Sequence, residues 1–350
     1  MGGLERVAID LAIAHRDRGL RCSIYSVYEP GVLAPQAEAA GIPVIAFHKP
    51  PGIAPRSMLA MAARLYRDQA GIVHTHNMGI HLFSAVAARL AGVPAIVNTR
   101  HGPTTSFGKP YRESHFRLAM PFTDAVVFVS DDCRRVLLRH GHIPPAKSQV
   151  IINGIRTAPF LAHPAAPGSV LPRIRFGAVG RMLPVKGHSV LIEAFAMLLV
   201  RIPAAELRIV GGGLLFEELS AQVLRLGLGS KVSIEGPHSS VHELLAEFDV
   251  LVFPSLNEGL PLVILEAMAS GLPIVSTRVG GVPEVAPEGE VAWFCPPGEP
   301  QALAEAMYQA ATCPQLPDMG ARAREIAAAR YSLQTMQNQY ESLYRRVLER

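Results

Sequence analysis

The chain has 350 residues, of which 49% are hydrophobic and only 18% are charged, so it can bury large cores and is expected to form two domains rather than one. Its four cysteines show no CxxC spacing, which argues against a zinc site or a disulfide framework and favours a reduced, cytoplasmic compartment. The sequence shows neither a signal-peptide pattern nor an apolar run long enough to cross a bilayer.

Charge is distributed unevenly along the chain. Residues 1–165 hold 18 Lys and Arg against 10 Asp and Glu, whereas residues 166–350 hold 15 against 19. A basic first half indicates either an anionic partner or surface, or simply an arginine-rich solvated surface, and the sequence leaves both interpretations open.

In the first half, hydrophobic runs alternate with helical patterns, which is typical of βαβ units on parallel sheets. A glycine turn at Gly2 and Gly3 leads directly into a helical pattern at 6–17. Such a turn normally follows a strand, so the first strand of this domain is expected to be missing. Strands are predicted at 21–27, 43–47, 72–76, 95–98, 125–129 and 149–152, and helices between them, for example at 56–70, 80–91 and 132–140.

The same rhythm restarts in the second half, after a segment at 157–172 that holds four prolines and shows no clear period. That composition is typical of a linker. Strands are then predicted at 173–179, 206–210, 232–235, 250–253, 273–276 and 292–294.

The two halves predict two doubly wound, Rossmann-like α/β domains. We expect an N-terminal domain at 1–160, a C-terminal domain at 170–330, and a closing helix at 331–350 that packs back toward the first domain. Ligands of such sheets bind beyond the carboxyl ends of the strands, and with two domains the expected site is the cleft between them.

Two cations, Arg181 and Lys186, lie in the turn GRMLPVKG between a predicted strand at 173–179 and a predicted helix at 189–199. A planar guanidinium and a compact ammonium both suit phosphate oxygens. A solvated basic turn would have the same sequence, but a second feature at an equivalent strand end favours a phosphate site.

That second feature is FPSLNEGLPLVILEAMASG, residues 253–271. It follows the predicted strand at 250–253 and carries Glu258 in a turn and Glu266, eight positions later, in the helix that comes next. The free N–H groups at the start of that helix offer an anion site. Carboxylates beside an anion site favour a ligand with both phosphates and hydroxyls, such as a nucleotide diphosphate-sugar.

These spans resemble the signatures of the retaining glycosyltransferases of family four, which have the GT-B fold. Residues 253–271 resemble their E-x7-E motif, and GRMLPVKG resembles their Arg…Lys phosphate turn. The segments GGLERVAIDLA, NTRHG, the Asn153-Gly154 pair and MGARAREIAAARYS resemble further parts of the family, so the resemblance covers essentially the whole chain. It implies two Rossmann-like domains that face each other across a cleft, an acceptor-side domain at 1–160 and a nucleotide-sugar-binding domain at 170–330.

The resemblance also implies roles for single residues. Glu266 would hydrogen-bond the ribose hydroxyls and Glu258 the hydroxyls of the donor sugar. Arg181 and Lys186 would neutralise the diphosphate as the sugar leaves. The other implied contacts are His101 at the donor sugar, backbone N–H groups near Gly259, Leu260 and Leu262 at the distal phosphate, and close backbone approach at Gly2 and Gly3.

The chain is therefore expected to be a retaining hexosyltransferase-type enzyme of polysaccharide or lipopolysaccharide biosynthesis in the cell envelope. It would move a sugar from a nucleotide diphosphate-sugar, UDP-linked rather than GDP-linked, to a lipid-linked or polysaccharide acceptor. No cofactor, metal ion or nucleic-acid partner is expected, because the two cations can take the place of a metal. The alternatives are a nucleotide-sugar epimerase on the same fold and a degenerate sugar-binding protein.

Three histidines of the first domain allow two interpretations. His74 and His76 alternate on a predicted strand, and His81 follows shortly after. Together they could hold a metal ion, but strand-end polar residues that line a cleft are the better explanation.

A mixed basic and apolar segment at 109–122 predicts a peripheral position on the inner face of an anionic membrane. If it is helical, Tyr111, His115, Leu118 and Phe122 fall on one stripe. A helix of this kind can lie among lipid headgroups. The alternative is a core helix whose stripe packs inward.

Overall fold

The computed structural model describes residues 2–52, 54–102, 111–139, 143–164 and 173–349, with backbone only at 111–113. Its helices and strands are, in chain order, α1 (Gly3–Asp17), β1 (Ile24–Ser26), α2 (Ala34–Ala39), β2 (Val44–Ala46), α3 (Pro55–Arg67), β3 (Ile72–His76), α4 (His81–Leu90), β4 (Ala95–Arg100), α5 (Tyr111–Ala119), β5 (Ala125–Phe128), α6 (Asp131–Leu138), β6 (Ser148–Val150), α7 (Ala158–Ala162), β7 (Arg175–Val179), α8 (His188–Arg201), β8 (Glu206–Val210), α9 (Phe216–Arg225), β9 (Val232–Glu235), α10 (Val241–Leu245), β10 (Val250–Phe253), α11 (Leu262–Ser270), β11 (Ile274–Thr277), α12 (Val282–Val285), β12 (Ala292–Cys295), α13 (Pro300–Ala311), α14 (Leu316–Arg330) and α15 (Leu333–Leu348).

The chain divides into two compact units. Unit 1 comprises Met1–Gly154 and Leu333–Arg350, and unit 2 comprises Ile155–Ser332. The first stretch of unit 1 ends six residues before the expected limit at 160, whereas unit 2 begins 15 residues before the expected start at 170 and ends two residues after 330. The predicted linker at 157–172 begins with the short helix α7, and Pro159 occupies the first turn of this helix, where its missing N–H costs nothing. Residues 165–172 lie outside the described residues.

Unit 1 contains two parallel sheets. One has the order β3-β4-β5-β6, and the other pairs β1 with β2. Every residue of β4 and β5 is buried, as expected for parallel strands that helices cover on both faces. Side chains of α3 and α4 pack with Ile96 of β4 into one core, while Phe116 of α5 packs with Val126 and Phe128 of β5 into another.

The C-terminal helix α15 belongs to unit 1 and packs against α1. The Gln337 side chain donates to the carbonyl oxygen of Ala14 at 2.8 Å, and Arg18 forms a 2.8 Å ion pair with Glu341. Residues at opposite ends of the sequence therefore share one layer of unit 1.

Unit 2 contains one six-stranded parallel sheet with the order β12-β11-β10-β7-β8-β9. β7 and β10 are central neighbours, with Phe176 opposite Val250 and Gly177 opposite Leu251. The strand order reverses at this pair, so the turns that follow β7 and β10 leave the carboxyl edge of the sheet side by side, where open α/β sheets bind ligands.

The predicted α/β class with parallel, doubly wound sheets is confirmed. Each strand predicted from the sequence is present, and none of its ends is displaced by more than three residues. The first element of the described chain is α1, which begins at Gly3.

Candidate active site

The turn after β7 lies directly against the turn after β10. Residues Pro184–Lys186 form a short 3-10 helix, and Gly187 then adopts a φ of +67° before α8 begins. A Cβ atom at Gly187 would lie 2.1 Å from the carbonyl oxygen of Pro254, so the two turns can approach this closely only with glycine there. The N–H of Leu256 donates to the carbonyl oxygen of Val185 at 2.8 Å and joins the turns.

This approach brings Lys186 and Glu258 together. Nζ of Lys186 lies 2.6 Å from Oε1 of Glu258, and the two side chains are only 16% and 17% exposed. The Ser255 hydroxyl donates to the same carboxylate oxygen at 3.3 Å. The ammonium also lies 5.3 Å from the centre of the Phe253 ring. A cation and a carboxylate predicted from separate motifs thus form one partly desolvated cluster.

Arg181, the second predicted cation, differs from Lys186. Its side chain is exposed, and no ion pair joins it to a carboxylate within the part of the chain that the structure describes. Its guanidinium donors are therefore available to a phosphate without displacing a protein partner.

Helix α11 carries the rest of the predicted motif. It begins at Leu262, with Pro261 in an extended conformation as its N-cap. Glu266 is half-buried and lies one turn after Leu262, on the same face of the helix. Gly259 and Leu260, just before the helix, are buried. The Ile264 N–H donates to the carbonyl oxygen of Pro261 at 3.3 Å, and the N–H groups of Leu262 and Val263 come before the helix's own hydrogen bonds begin and can bind an anion.

Three features of this cluster escape the sequence reasoning. Ser255, which holds Glu258, is fully buried. Gly280, after β11, has a φ of +51°, and a Cβ atom there would lie 2.3 Å from the carbonyl oxygen of Glu258. The glycine run after β8 lies against the cation turn, because Met182 N–H donates to Gly212 at 2.9 Å. Glycine pairs directly after buried strands are the sequence signal that could have found the last two.

His101 lies in unit 1, at the carboxyl end of β4. Nε2 of His101 is 3.0 Å from Nδ1 of His76, the last residue of β3. Burial lowers the pKa of His76 to about 4 and, with the neighbouring His76, lowers the pKa of His101 well below 6.5. Both rings are therefore neutral near pH 7 and available as hydrogen-bonding groups.

The hypothesis of a metal site at His74, His76 and His81 is wrong. His81 hydrogen-bonds the Thr75 hydroxyl at 2.8 Å, and Thr75 points to the opposite face of β3 from His74 and His76. Both nitrogens of His74 are occupied, at 2.7 Å each, by the hydroxyls of Tyr344 and Thr99. Among the described residues, no three His, Cys, Asp or Glu side chains are grouped so that they could hold a metal ion.

Gly2 and Gly3 lie at the start of α1, as its N-cap and first residue. The structure therefore divides the predicted residues between the units. Unit 1 holds Gly2, Gly3 and His101, and unit 2 holds Arg181, Lys186, Glu258, Gly259, Leu260, Leu262 and Glu266.

The predicted stripe at 111–122 does not exist as one face. α5 ends at Ala119, and its core-facing side chain is Phe116, which is 0% exposed. Leu118 points away from the core and is 60% exposed, whereas Phe122, beyond the end of the helix, packs against a core cluster. Residues 109 and 110 and the Tyr111 side chain lie outside the described residues. Within the described chain, no helix has the length and apolar character needed to cross a bilayer.

Two family profiles match this chain. The one described as "Glycosyltransferase Family 4" matches residues 1–158, and the one described as "Glycosyl transferases group 1" matches residues 173–312. Together they cover most of the sequence, including every predicted site residue.

Several curated proteins are similar to this chain in sequence, each over a different share of its length. N-acetyl-alpha-D-glucosaminyl L-malate synthase of Bacillus anthracis is 29% identical over 83% of this chain and 79% of its own length. The Escherichia coli UDP-Gal:alpha-D-GlcNAc-diphosphoundecaprenol alpha-1,3-galactosyltransferase is 29% identical over 65% and 62%. EpsF of Bacillus subtilis is 33% identical over 58% and 56%, so the chain spans less than two thirds of these last two proteins.

Solved structures establish the fold. Anabaena HepE, in complex with UDP, superposes with a TM-score of 0.84 at 23% identity and covers 98% of this chain and 96% of its own. Sucrose-phosphate synthase from Thermosynechococcus elongatus gives a TM-score of 0.82 at 20% identity over 99% and 94%.

The profiles and the superpositions agree with the geometry of both units. Each unit has its own profile, and the E-x7-E residues and the cation turn lie at the reversal point of the unit 2 sheet. The chain is therefore a family-4-like glycosyltransferase with the GT-B fold.

Proposed function

We propose that this chain transfers a hexosyl group from a nucleotide diphosphate-sugar to a saccharide or lipid-linked acceptor, with retention at the anomeric carbon and without a metal ion. The observation that carries the proposal is the cluster of Lys186 and Glu258, 2.6 Å apart, beside the start of α11. Cation, carboxylate and helix N–H groups at one place match a ligand that has both phosphates and hydroxyls.

In the proposed reaction, the bond between the sugar C1 and the distal phosphate oxygen breaks, and the acceptor oxygen forms the new bond to C1. The acceptor proton passes to the departing phosphate. Negative charge grows on that phosphate as the bond breaks, so Arg181 and Lys186 stabilise the transition state more than the ground state. One cation about 4 Å from the phosphate contributes roughly 4 kcal/mol of attraction at an effective dielectric near 20.

The remaining residues have binding roles in this proposal. Glu266 accepts hydrogen bonds from the ribose hydroxyls, and Glu258 from hydroxyls of the sugar. The N–H groups near Gly259, Leu260 and Leu262 hold the distal phosphate. Unit 1 contributes His101 to the donor sugar, and Gly2 and Gly3 allow close backbone approach.

A UDP-sugar is the proposed donor. This rests on the HepE structures with UDP and with UDP-glucose and on the UDP-Gal-dependent relative from Escherichia coli. The relatives do not favour the alternatives of an epimerase or a degenerate sugar-binding protein. The name of that same relative supports a lipid-diphosphate acceptor, which would belong to cell-envelope biosynthesis.

A lipid-linked acceptor would bring the protein to the inner face of the membrane, and we propose a peripheral contact there. Arg117 and Leu118 are exposed on α5, and Arg117 lines a groove of about 600 Å³ together with Met120, Leu138 and Ile143. The basic first half of the chain would favour anionic lipid.

Product mass and NMR test the proposal. The protein is incubated with several UDP- and GDP-sugars and with saccharide and polyprenyl-diphosphate-saccharide acceptors, each with and without EDTA. We expect one UDP-sugar to give an α-linked product whose formation survives EDTA. An epimer formed without acceptor, or a product with inverted configuration, would contradict the proposed activity or its stereochemistry.

A further inference from the structure

The ends of β3 and β4 bring two histidines into direct contact. His76 is the last residue of β3, and His101 follows Arg100, the last residue of β4. The strands are parallel neighbours with His76 opposite Thr99. Nδ1 of His76 lies 3.0 Å from Nε2 of His101, and both rings are half-buried.

His74 lies next to His76 on the same face of β3 and contacts its ring. The two rings stack with their centres 4.4 Å apart and their planes 31° from parallel. His74 itself is fixed, because one nitrogen bonds the Tyr344 hydroxyl and the other bonds the Thr99 hydroxyl. Tyr340, one helical turn before Tyr344 on α15, lies 3.0 Å from the same Thr99 oxygen. The fixed ring of His74 thus restricts the position of the His76 ring that contacts His101.

The contact uses up one nitrogen of His101. A neutral imidazole has one N–H donor and one acceptor nitrogen, so one ring donates in this contact and the other accepts. Nε2 of His101 is thereby engaged, and Nδ1 remains. Within the described part of the chain, no residue hydrogen-bonds Nδ1 of His101.

We propose that His76 is a positioning residue for His101. The contact from Nδ1 of His76 fixes the rotamer of the His101 ring and couples its tautomer to that of His76, and Nδ1 of His101 is the atom offered to a hydroxyl of the sugar ligand. This inference rests on the proposed function, since it takes His101 as a group that contacts the donor sugar.

Nitrogen-15 NMR of the imidazole rings tests the contact without any activity measurement. The His101 signals are assigned by their absence in His101→Ala. We expect a single tautomer of His101 in the unaltered protein and a mixture in His76→Leu. In His76→Asn the single tautomer returns, because the side-chain amide of Asn places a polar atom near the position of Nδ1.

Turnover should follow the tautomer. His76→Leu is expected to lower kcat by up to about a hundredfold, as small misplacements of catalytic groups do, and His76→Asn should recover most of that loss. His163→Leu, which alters an exposed histidine of unit 2, is the control and should change neither the His101 spectrum nor kcat.

Two results would overturn the inference. One is an unchanged His101 spectrum in folded His76→Leu, and the other is a His76→Asn protein that is as impaired as His76→Leu. Failure of the proposed function is distinguishable from both. If His101→Ala transfers sugar at the normal rate while His76→Leu shifts the tautomer, the contact exists but His101 is not used in transfer, and the positioning role falls with it.

Discussion

Lys186 and Glu258 form a 2.6 Å ion pair in the structure, so the proposed phosphate cation is already paired with the proposed sugar-binding carboxylate. A diphosphate that binds Lys186 must compete with Glu258 for it. Glu258 therefore opposes the binding of a nucleotide diphosphate alone, because Lys186 must give up the ion pair to bind the phosphate. When the ligand also carries a sugar, its hydroxyls donate to Glu258 and compensate for the lost ion pair.

Glu258→Gln is accordingly expected to separate nucleotide binding from turnover. The variant should bind UDP as tightly as the unaltered protein or up to about fivefold more tightly, corresponding to about 1 kcal/mol, because Lys186 is released. Turnover with the sugar nucleotide should fall. Calorimetric titration with UDP, beside steady-state rates, measures both. Weaker UDP binding would show that the ion pair preorganises the cation instead of competing for it.

Glu266→Ala is expected to lose donor affinity while the protein stays folded. A charged hydrogen bond to ribose contributes about 1.5–3 kcal/mol, which corresponds to roughly a tenfold to hundredfold weaker Kd. The matched control is Glu217→Ala, which removes a carboxylate from the first turn of α9. Calorimetric titration measures the Kd of the nucleotide in both variants. An unchanged Kd in Glu266→Ala would show that Glu266 does not bind the nucleotide.

Arg181→Ala and Lys186→Ala are expected to act on the chemical step more than on binding. Both cations meet charge that grows as the glycosidic bond breaks, so single-turnover rates should fall more than donor affinity does. EDTA should leave the rate of the unaltered protein intact. Loss of activity with EDTA, restored by Mg²⁺ or Mn²⁺, would contradict the metal-free proposal.

Stability should decrease as the pH falls below about 6.5. Burial lowers the pKa of His81 to about 3 from a reference value of 6.5, so the unfolded chain binds a proton that the folded chain does not. Unfolding is therefore favoured as the pH falls from 6.5 toward 3, by about 1.4 kcal/mol per pH unit for each such histidine. Urea unfolding at pH 7.5, 6.0 and 5.0 measures the slope. His81→Gln should flatten it, and His115→Gln, at an exposed position, should not.

Vesicle sedimentation examines the peripheral contact. We expect the protein to pellet with vesicles that contain anionic lipid at low salt and to be released at high salt, because exposed charges are screened. Arg117→Glu should weaken the binding, whereas Arg225→Glu, at the end of α9 in unit 2, should not. Equal sedimentation of both variants would exclude α5 as the contact surface.

The sequence was sufficient to predict the strands. Short apolar runs such as 250–253, each bounded by turn residues, predict buried strands of a parallel sheet. The sequence was insufficient to predict contacts between segments that are distant along the chain. Neither the Lys186–Glu258 pair nor the contact of His76 with His101 follows from either motif alone, because both depend on which strands are neighbours.

Helical periodicity misled at the end of α5. The pattern places Leu118 and Phe122 four residues apart on one face, but α5 stops at Ala119 and a tighter 3-10 turn at Met120–Phe122 rotates Phe122 into the core. Pro121 lies within that turn and cannot donate to a continuing helix, which is the local cause.

Because α15 belongs to unit 1, that unit is assembled from both ends of the sequence, while unit 2 is one uninterrupted stretch. During synthesis the ribosome finishes unit 2 before it releases the segment that supplies Tyr340 and Tyr344. The hydroxyls that fix His74 are therefore synthesised only after the whole of unit 2, roughly one to two seconds after Ser332 at elongation rates of about 5–20 residues per second. A nascent chain that stalls before α15 would contain Lys186 and Glu258, but it would lack Tyr340 and Tyr344, whose hydroxyls fix His74 through Thr99 and directly.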